Sequence, residues 1–307
     1  MKRVLVTGAS GFVGRQALRP LQSRGFEVHA IGRGIPAECP PGVTCHRADL
    51  LDCSGHRALL DRVRPSHLLH LAWYAEHGRF WDAVENTLWL KSTTSLVEAF
   101  CDAGGERAVG AGTCAEYDWQ YGLLVEGETP ERPATLYGTT KLAAGRDAGA
   151  IAKAHGAGFA WARLFFPYGP GEAERRLVPH VITSLLRGEP ARCTHGRQLR
   201  DFLHVADVGD ALAAVLDSPV SGPVNIGSGV PVSVGEVASR IAAVLGRPDL
   251  LQLGALPEEG NSAGMIVAST VRLATEVGWT PGRSLDEGLR QAIQWWKEAL
   301  LPTTDKK

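Results

Sequence analysis

Short runs rich in Val, Leu and Ile alternate along this chain with longer stretches in which apolar residues recur every three or four positions. A strand buried on both faces reads as a continuous apolar run, and a helix covering a sheet reads with a period near 3.6. Their alternation is therefore the signature of βαβ units wound into a parallel sheet. The pattern predicts strands near Arg3 to Thr7, Phe26 to Ile31, Val43 to Arg47, His67 to Leu71, Arg107 to Ala111 and Gly158 to Phe165. Helices are predicted to begin near Phe12, Gly55, Trp81 and Leu136. Together these elements describe an α/β fold with a doubly wound parallel sheet.

The pattern breaks after Phe166. Pro167, Pro170, Pro179 and Pro190 punctuate loops and short helices, and no regular alternation returns before Asp201. A smaller lobe is expected to start here. A helix from Val205 to Leu216 and a strand from Val224 to Ile226 are expected to rejoin the sheet, which makes the lobe discontinuous. Residues 1–165, with 201–228, then form the sheet domain, and 166–200 with 229–307 form mainly the second lobe. The tail Thr303 to Lys307 reads as a frayed end without function.

Composition narrows the class. With 307 residues, 44% hydrophobic, 21% charged and a formal net charge of -1, the chain reads as an ordinary soluble protein. That balance gives no electrostatic case for nucleic acid or an anionic membrane. The opening Met1 to Thr7 holds an apolar run too short for a signal peptide, and no uninterrupted apolar stretch of about 18 residues suggests a span. Six cysteines, Cys39, Cys45, Cys53, Cys101, Cys114 and Cys193, show neither C-x-x-C pairing nor a repeated spacing with histidine. Reduced thiols, a cytoplasmic protein and no metal site are the expectation.

Gly8-Ala9-Ser10-Gly11-Phe12-Val13-Gly14 follows a predicted strand and opens a predicted helix. That is the context of the dinucleotide fingerprint: the glycines let the backbone turn tightly and approach a pyrophosphate, whose charge sits on free amides at the helix start. The bland alternative is a glycine-rich turn. About twenty residues on, where an acidic side chain would take the ribose 2′-hydroxyl of NAD, stands Ile31-Gly32-Arg33-Gly34. Arg33 suits the 2′-phosphate of NADP, so NADPH is the preferred cofactor and NAD the alternative. Ala48-Asp49-Leu50 after the third strand places Asp49 near the adenine, unless it is a local cap.

Tyr137-Gly138-Thr139-Thr140-Lys141 sets a phenol and an ammonium four residues apart, on one helix face. A nearby cation favours the phenolate and tunes the tyrosine as acid and base during hydride transfer. The preceding strand ends in Gly110-Ala111-Gly112-Thr113-Cys114-Ala115-Glu116-Tyr117, at the carboxyl edge where doubly wound folds bind ligands. Thr113 can hold the reacting oxygen beside Tyr137. A solvated pair and a plain strand end are the alternatives.

With these residues the chain resembles the extended short-chain dehydrogenase/reductase family, specifically its nucleotide-sugar epimerases, dehydratases and 4-ketoreductases, over nearly its whole length. Further markers appear in family order: Leu71-Ala72, Asn86, Tyr168-Gly169-Pro170, Arg200-Asp201-Phe202-Leu203-His204-Val205-Ala206-Asp207-Val208, Asn225-Ile226-Gly227-Ser228-Gly229 and Gly278-Trp279-Thr280-Pro281. The resemblance implies a Rossmann sheet, with Tyr137 as acid/base, Lys141 on the nicotinamide ribose and Thr113 on the substrate oxygen. It puts Gly8, Ser10, Gly11, Phe12, Val13, Gly14, Arg33, Asp49, Leu50, Leu71, Ala72 and Trp73 at the cofactor. It puts Tyr74, Cys114, Ala115, Phe166, Val178 and Arg200 at a nucleotide-diphosphate sugar, with Trp73 also reaching toward the sugar. Arg200 is implied to contact the diphosphate, a task that suits a guanidinium fork, or else it pairs with Asp201. A homodimer through the helices around Trp81 to Phe100 and Leu136 to His155 is also implied.

Departures narrow the chemistry. Dehydratases of the family carry an Asp-Glu pair after the catalytic threonine, where this chain has Cys114 and Ala115, and Glu116 is expected to point elsewhere. Positions that serve C3/C5 epimerisation hold Ala115 and Arg176, and Phe166 stands where relatives carry asparagine. The expected activity is NADPH-dependent reduction of a nucleotide-linked 4-keto-6-deoxy sugar. Its alternatives are a redox-neutral 4-epimerase with retained NAD and a non-catalytic NADP-binding protein.

Overall fold

The computed structural model describes residues 2–34, 39–257 and 263–301. Strand β1 (Arg3–Thr7), helix α1 (Gly14–Ser23), β2 (Glu27–Gly32), β3 (Val43–Arg47), α2 (His56–Val63), β4 (His67–His70), α3 (Glu85–Asp102) and β5 (Arg107–Thr113) follow in order. Then come β6 (Leu123–Leu124), α4 (Leu136–Ala154), β7 (Gly158–Leu164), β8 (Phe166–Tyr168), α5 (Leu177–Leu186), β9 (Ala191–Arg192) and β10 (Leu199–His204). The chain closes with α6 (Val205–Asp217), β11 (Gly222–Ile226), β12 (Pro231–Ser233), α7 (Val234–Leu245), β13 (Leu251–Gln252), β14 (Met265–Ala268), α8 (Val271–Thr275) and α9 (Leu285–Leu300).

Seven strands form a parallel sheet in the order β11-β7-β5-β4-β1-β2-β3. The order reverses between β1 and β4, so a crevice opens at their carboxyl ends. Strand periodicity divides the core. Val4 and Val6 pack with Leu21, Leu212 and Val215 under α1 and α6, while Leu5 packs with Leu60, Leu96 and Phe100 under α2 and α3. Both faces of β1 are thus buried, the reason its sequence reads as an unbroken apolar run.

A second sheet, β12-β10-β14-β6 with β8 beside β10, joins α5, α7 and α9 around a separate core that includes Ile182, Leu185, Ile241 and Ile293. Helix α6 and strand β11 return to the first sheet, but Asp201 to His204 belong to β10 in the second. The stretch from Phe166 to Asp201, read as irregular, contains β8, α5 and β9.

Other expectations need correction. Helix α3 begins at Glu85 rather than near Trp81, because the Trp81 carbonyl accepts the Tyr137 amide at 2.8 Å and Asn86 turns its side chain back to the Phe80 and Ala83 carbonyls. Cys39 and Cys45 are joined as a disulfide, with Cα atoms 6.1 Å apart, so the expectation of six reduced thiols fails for this pair. The other four cysteines are free. Among the described residues no helix is long and apolar enough to cross a membrane. The tail from Thr303 lies outside the described residues.

Candidate active site

The crevice is built from the ends of β1 and β4. The buried Thr7 hydroxyl accepts the amides of Leu71 and Ala72 at 3.0 and 3.1 Å and meets His70 Nδ1 at 2.8 Å. Burial drives the His70 imidazole down to about 3, so it stays neutral, with Nε2 against the Thr93 hydroxyl. Gly8 adopts φ +66°, and a Cβ there would lie 2.8 Å from the Ala72 amide nitrogen. A Cβ on Gly14 would lie 2.1 Å from the Gly8 carbonyl oxygen. Only glycine allows this approach. Gly11 closes the turn onto Gly8 at 2.9 Å.

Val13 caps α1 without a side-chain hydrogen bond, and its first turn holds no acidic residue. The orphan amides and the positive end of the dipole therefore offer an anion cradle that a pyrophosphate fits. Ser10 and Gly11 are exposed at its lip; Phe12 and Val13 are half-buried.

At the far end of the crevice Arg33 is exposed, one residue beyond Gly32, whose register partner on β3 is Arg47. Two guanidinium side chains thus leave adjacent strand ends, and Arg47 is a residue the sequence reading missed. Asp49 accepts the Leu51 amide at 3.1 Å, the local-cap alternative. The Leu50 side chain is buried and its carbonyl accepts from His56 and Ser92.

Thr113 ends β5 in a capping box. Its hydroxyl accepts the Ala115 amide at 3.2 Å, and Glu116 accepts the Thr113 amide at 2.8 Å. Tyr137 comes to Thr113 because α4 starts directly on this turn. A Cβ at Gly138 would sit 2.4 Å from the Ala115 carbonyl oxygen, so glycine lets helix and turn touch. Burial pushes the Tyr137 phenol above its ordinary value, opposed by hydrogen bonding to Thr113.

Lys141 is buried one turn later. Its Nζ donates to the Ala111 carbonyl at 2.7 Å and lies 3.9 Å from the centre of the Trp73 ring and 5.9 Å from that of Tyr137. Burial lowers its ammonium to about 7. The lysine thus faces Ala111 and Trp73 more closely than the phenol it was expected to tune. Trp73 points inward as well, donating to Asn86 Oδ1 at 2.8 Å, and Tyr74 bonds Glu76 at the surface. Leu71 and Ala72 are half-buried at the crevice wall.

Beside this set, Cys114 is buried and its thiol pushed up to about 12, while Ala115 offers no titratable group. Glu116 does point elsewhere: it is fully buried, paired with Arg163 at 2.6 Å and bonded by Trp161 Nε1 at 2.9 Å. Arg200 donates to the Leu199 and Ala263 carbonyls and lies 5.6 Å over the Phe166 ring. Asp201 is turned to other donors, the amides of Ser228, Gly229 and Ala268. The Val178 side chain is buried in the core of the second lobe, which removes it as a substrate-facing group.

Two arrangements around Tyr137 were not anticipated, although Arg176 was read in the sequence as the residue at an epimerisation position. Phe80 and Trp81 wall Tyr137, meeting its ring edge-on at 4.8 and 5.9 Å, and Trp119 backs Trp81 with ring centres 6.3 Å apart. Arg176 at the start of α5 pairs with the buried Glu172 at 3.1 Å, and its charge lowers the Tyr137 pKa. Only the aromatic density between Trp73 and Trp89 hinted at the first.

A family model described as the NAD dependent epimerase/dehydratase family matches residues 4–227. The chain is similar to the UDP-glucose 4-epimerase of Streptomyces lividans, at 29% identity over 95% of each chain. It is similar to the dTDP-6-deoxy-L-talose 4-dehydrogenase (NAD(P)(+)) of Kitasatospora kifunensis, at 28% identity over 98% of this chain and 96% of that one. Among solved structures it is similar to MoeE5 in complex with UDP-glucose and NAD, with 32% identity, a TM-score of 0.83, and 97% and 99% of the two chains covered.

Proposed function

We propose, from the premise that this chain belongs to the NAD dependent epimerase/dehydratase family, that it is an NADPH-dependent reductase acting on the C4 keto group of a nucleotide-linked 4-keto-6-deoxy sugar. One observation carries the reading. Thr113, Tyr137 and Lys141 gather at the crevice while the three positions after Thr113 offer no acid or base: Cys114 is held as a thiol, Ala115 is inert and Glu116 is locked to Arg163. Proton removal at neighbouring carbons needs such a group, whereas hydride transfer does not.

Thr113 donates its O–H to the keto oxygen, and Tyr137 gives that oxygen its proton as the C–H bond forms at C4. Like any phenol near neutral pH, Tyr137 carries the proton that a reduction consumes. NADPH, when bound, supplies the hydride. Lys141 would hold the nicotinamide ribose, and its charge beside the phenol would ease the proton's departure. Gly8, Gly11 and Gly14 cradle the pyrophosphate, Arg33 and Arg47 take the 2′-phosphate, and Arg200 takes the diphosphate of the sugar nucleotide. The protein works as a homodimer through α3 and α4, consistent with the exposed Leu88 on α3.

A 4-epimerase that returns the hydride to the other face uses the same three residues. The similarity to a UDP-glucose 4-epimerase and to a UDP-glucose complex with NAD favours it. The arginine pair at the ends of β2 and β3, suited to a 2′-phosphate, favours the reductase.

The deciding experiment follows near-ultraviolet absorbance of NADPH with an enzymatically generated nucleotide-4-keto-6-deoxy sugar. Stoichiometric loss of NADPH with formation of the 4-hydroxy sugar is expected. Tyr137→Phe should lower turnover by roughly 10²–10⁴-fold with cofactor binding intact. NADPH should bind more tightly than NADH, with Arg33→Ala erasing the preference; equal affinities in the unaltered protein overturn the 2′-phosphate assignment. Interconversion of a stable sugar nucleotide without net NADPH loss establishes the epimerase instead.

A further inference from the structure

A second cavity, of 540 Å³, lies outside the catalytic set, between α4 and the β7–β11 edge of the sheet. Phe159 and Trp161 on β7 line it as a stacked pair, ring centres 6.1 Å apart and 21° from parallel. The helix wall above them lacks side chains at Gly145 and Gly149: a Cβ at Gly145 would lie 2.7 Å from the Trp161 ring and one at Gly149 3.4 Å from Phe159, so the helix backbone rests on Trp161 and leaves room for about a methyl group over Phe159. The open volume lies beside the helix, where each largely buried ring shows only a margin of its surface.

The charge around that space is unbalanced. Arg146, Lys153 and Arg163 line the cavity with a single carboxylate, Glu131, which is shared between Arg146 and Arg163. Even with Glu116, the other partner of Arg163, three cations face two carboxylates. Lys153 has no ion pair among the described residues, and the buried Nη1 of Arg163 has no hydrogen-bond partner among them. A cavity of this size with apolar walls and one surplus cation is shaped for a small, flat, singly charged anion.

We propose that this cavity binds a small aromatic carboxylate, its ring against Phe159 and Trp161 and its anion on Lys153 and Arg146. The site stands apart from the reductase reading and does not depend on it. It is nevertheless wired to the catalytic end of the sheet. Trp161 and Arg163 both hold Glu116, and Glu116 holds the Thr113 amide.

The test is a ligand-observed fluorine NMR titration of the full chain, in excess NADP, with 4-(trifluoromethyl)benzoate. Saturable binding with Kd on the order of 0.1–1 mM is expected for a ligand of this size. The uncharged 4-(trifluoromethyl)benzamide should bind several-fold more weakly. Lys153→Ala should weaken the benzoate about two- to five-fold, the range of a solvent-facing ion pair. Gly149→Leu, which fills the cavity, should weaken it by more than about tenfold; a thermal melt reports that variant's folding, and Lys153→Ala and the benzamide carry the test if it fails to fold. Equal affinity for the benzamide, or benzoate binding untouched by both substitutions, overturns the proposal.

Discussion

Lys141 is an ammonium taken out of water with a carbonyl and an aromatic face for company and, among the described residues, no ion pair with a carboxylate. Its pKa falls from 10.5 to about 7, so the folded, cofactor-free protein disfavours the charge that the unfolded chain carries freely. Below about pH 7 the lysine is protonated in both states and the full burial cost is carried. As pH rises from that point toward 10.5 the folded state sheds its proton first, and the cost is progressively relieved. The protein without cofactor should therefore gain stability across this window. Lys141→Met should be more stable than the parent at about pH 6, with the difference shrinking by about pH 9, while losing activity. Urea unfolding at the two pH values decides it; parallel stabilities would show that Lys141 carries no such cost. The Tyr-x-x-x-Lys spacing made both side chains legible from sequence because a helix fixes which residues share a face. Where Lys141 turns without cofactor was illegible, because Ala111 and Trp73 reach it only through tertiary packing.

Helix α4 shows how one element serves packing and chemistry together. Gly138 lets its first turn rest on Ala115, and Gly145 lets its middle rest on Trp161, where a Cβ would fall 2.7 Å from the ring. Gly149, one turn later, meets only ordinary contact at 3.4 Å. Intrinsic propensity favours alanine over glycine at both places by about 1 kcal/mol. The two substitutions should nevertheless diverge: Gly149→Ala should stabilise by about 0.5–1 kcal/mol, and Gly145→Ala should destabilise by about 1–3 kcal/mol through overpacking. Chemical denaturation of both variants checks this, and a common sign would remove Trp161 as the cause. Strands of five residues, such as β1 and β3, were readable to the residue. Strands of two or three residues, such as β6, β8 and β12, were not, since their pairing partners lie far along the chain and their sequences hold too few positions to show a period.

The two sheets are tied by buried polar groups as much as by apolar contact. Asn225 on β11 accepts the Tyr117 hydroxyl at 2.9 Å and donates to the Leu124 and Ser269 carbonyls. Asp201 on β10 reaches from the second sheet to the loop after β11: one carboxylate oxygen takes the Ser228 amide and hydroxyl, the other the amides of Gly229 and Ala268. A Cβ at Gly227 would lie 2.5 Å from that second oxygen, so the backbone is shaped around the carboxylate. The motif residues from Arg200 to Val208 were visible in the sequence, but nothing local showed that Asp201 holds two sheets together, because its four donors lie between 27 and 67 residues away. Asparagine at 201 keeps the shape and removes half the acceptors. Whichever way its amide is turned, the NH2 group faces two donors, and two buried N–H or O–H groups lose their partner. Stranding them costs about 2–4 kcal/mol, or roughly 4–8 °C in melting temperature for a chain of this size. Asp201→Asn should therefore melt well below the parent by circular dichroism. If the carboxylate is what makes the sheets unfold together, the single transition of the parent should also broaden or split, as the second sheet comes to melt before the first. A lowered but equally sharp transition would place the coupling in the Asn225 cluster instead, and an unchanged melting temperature would remove Asp201 from the junction altogether.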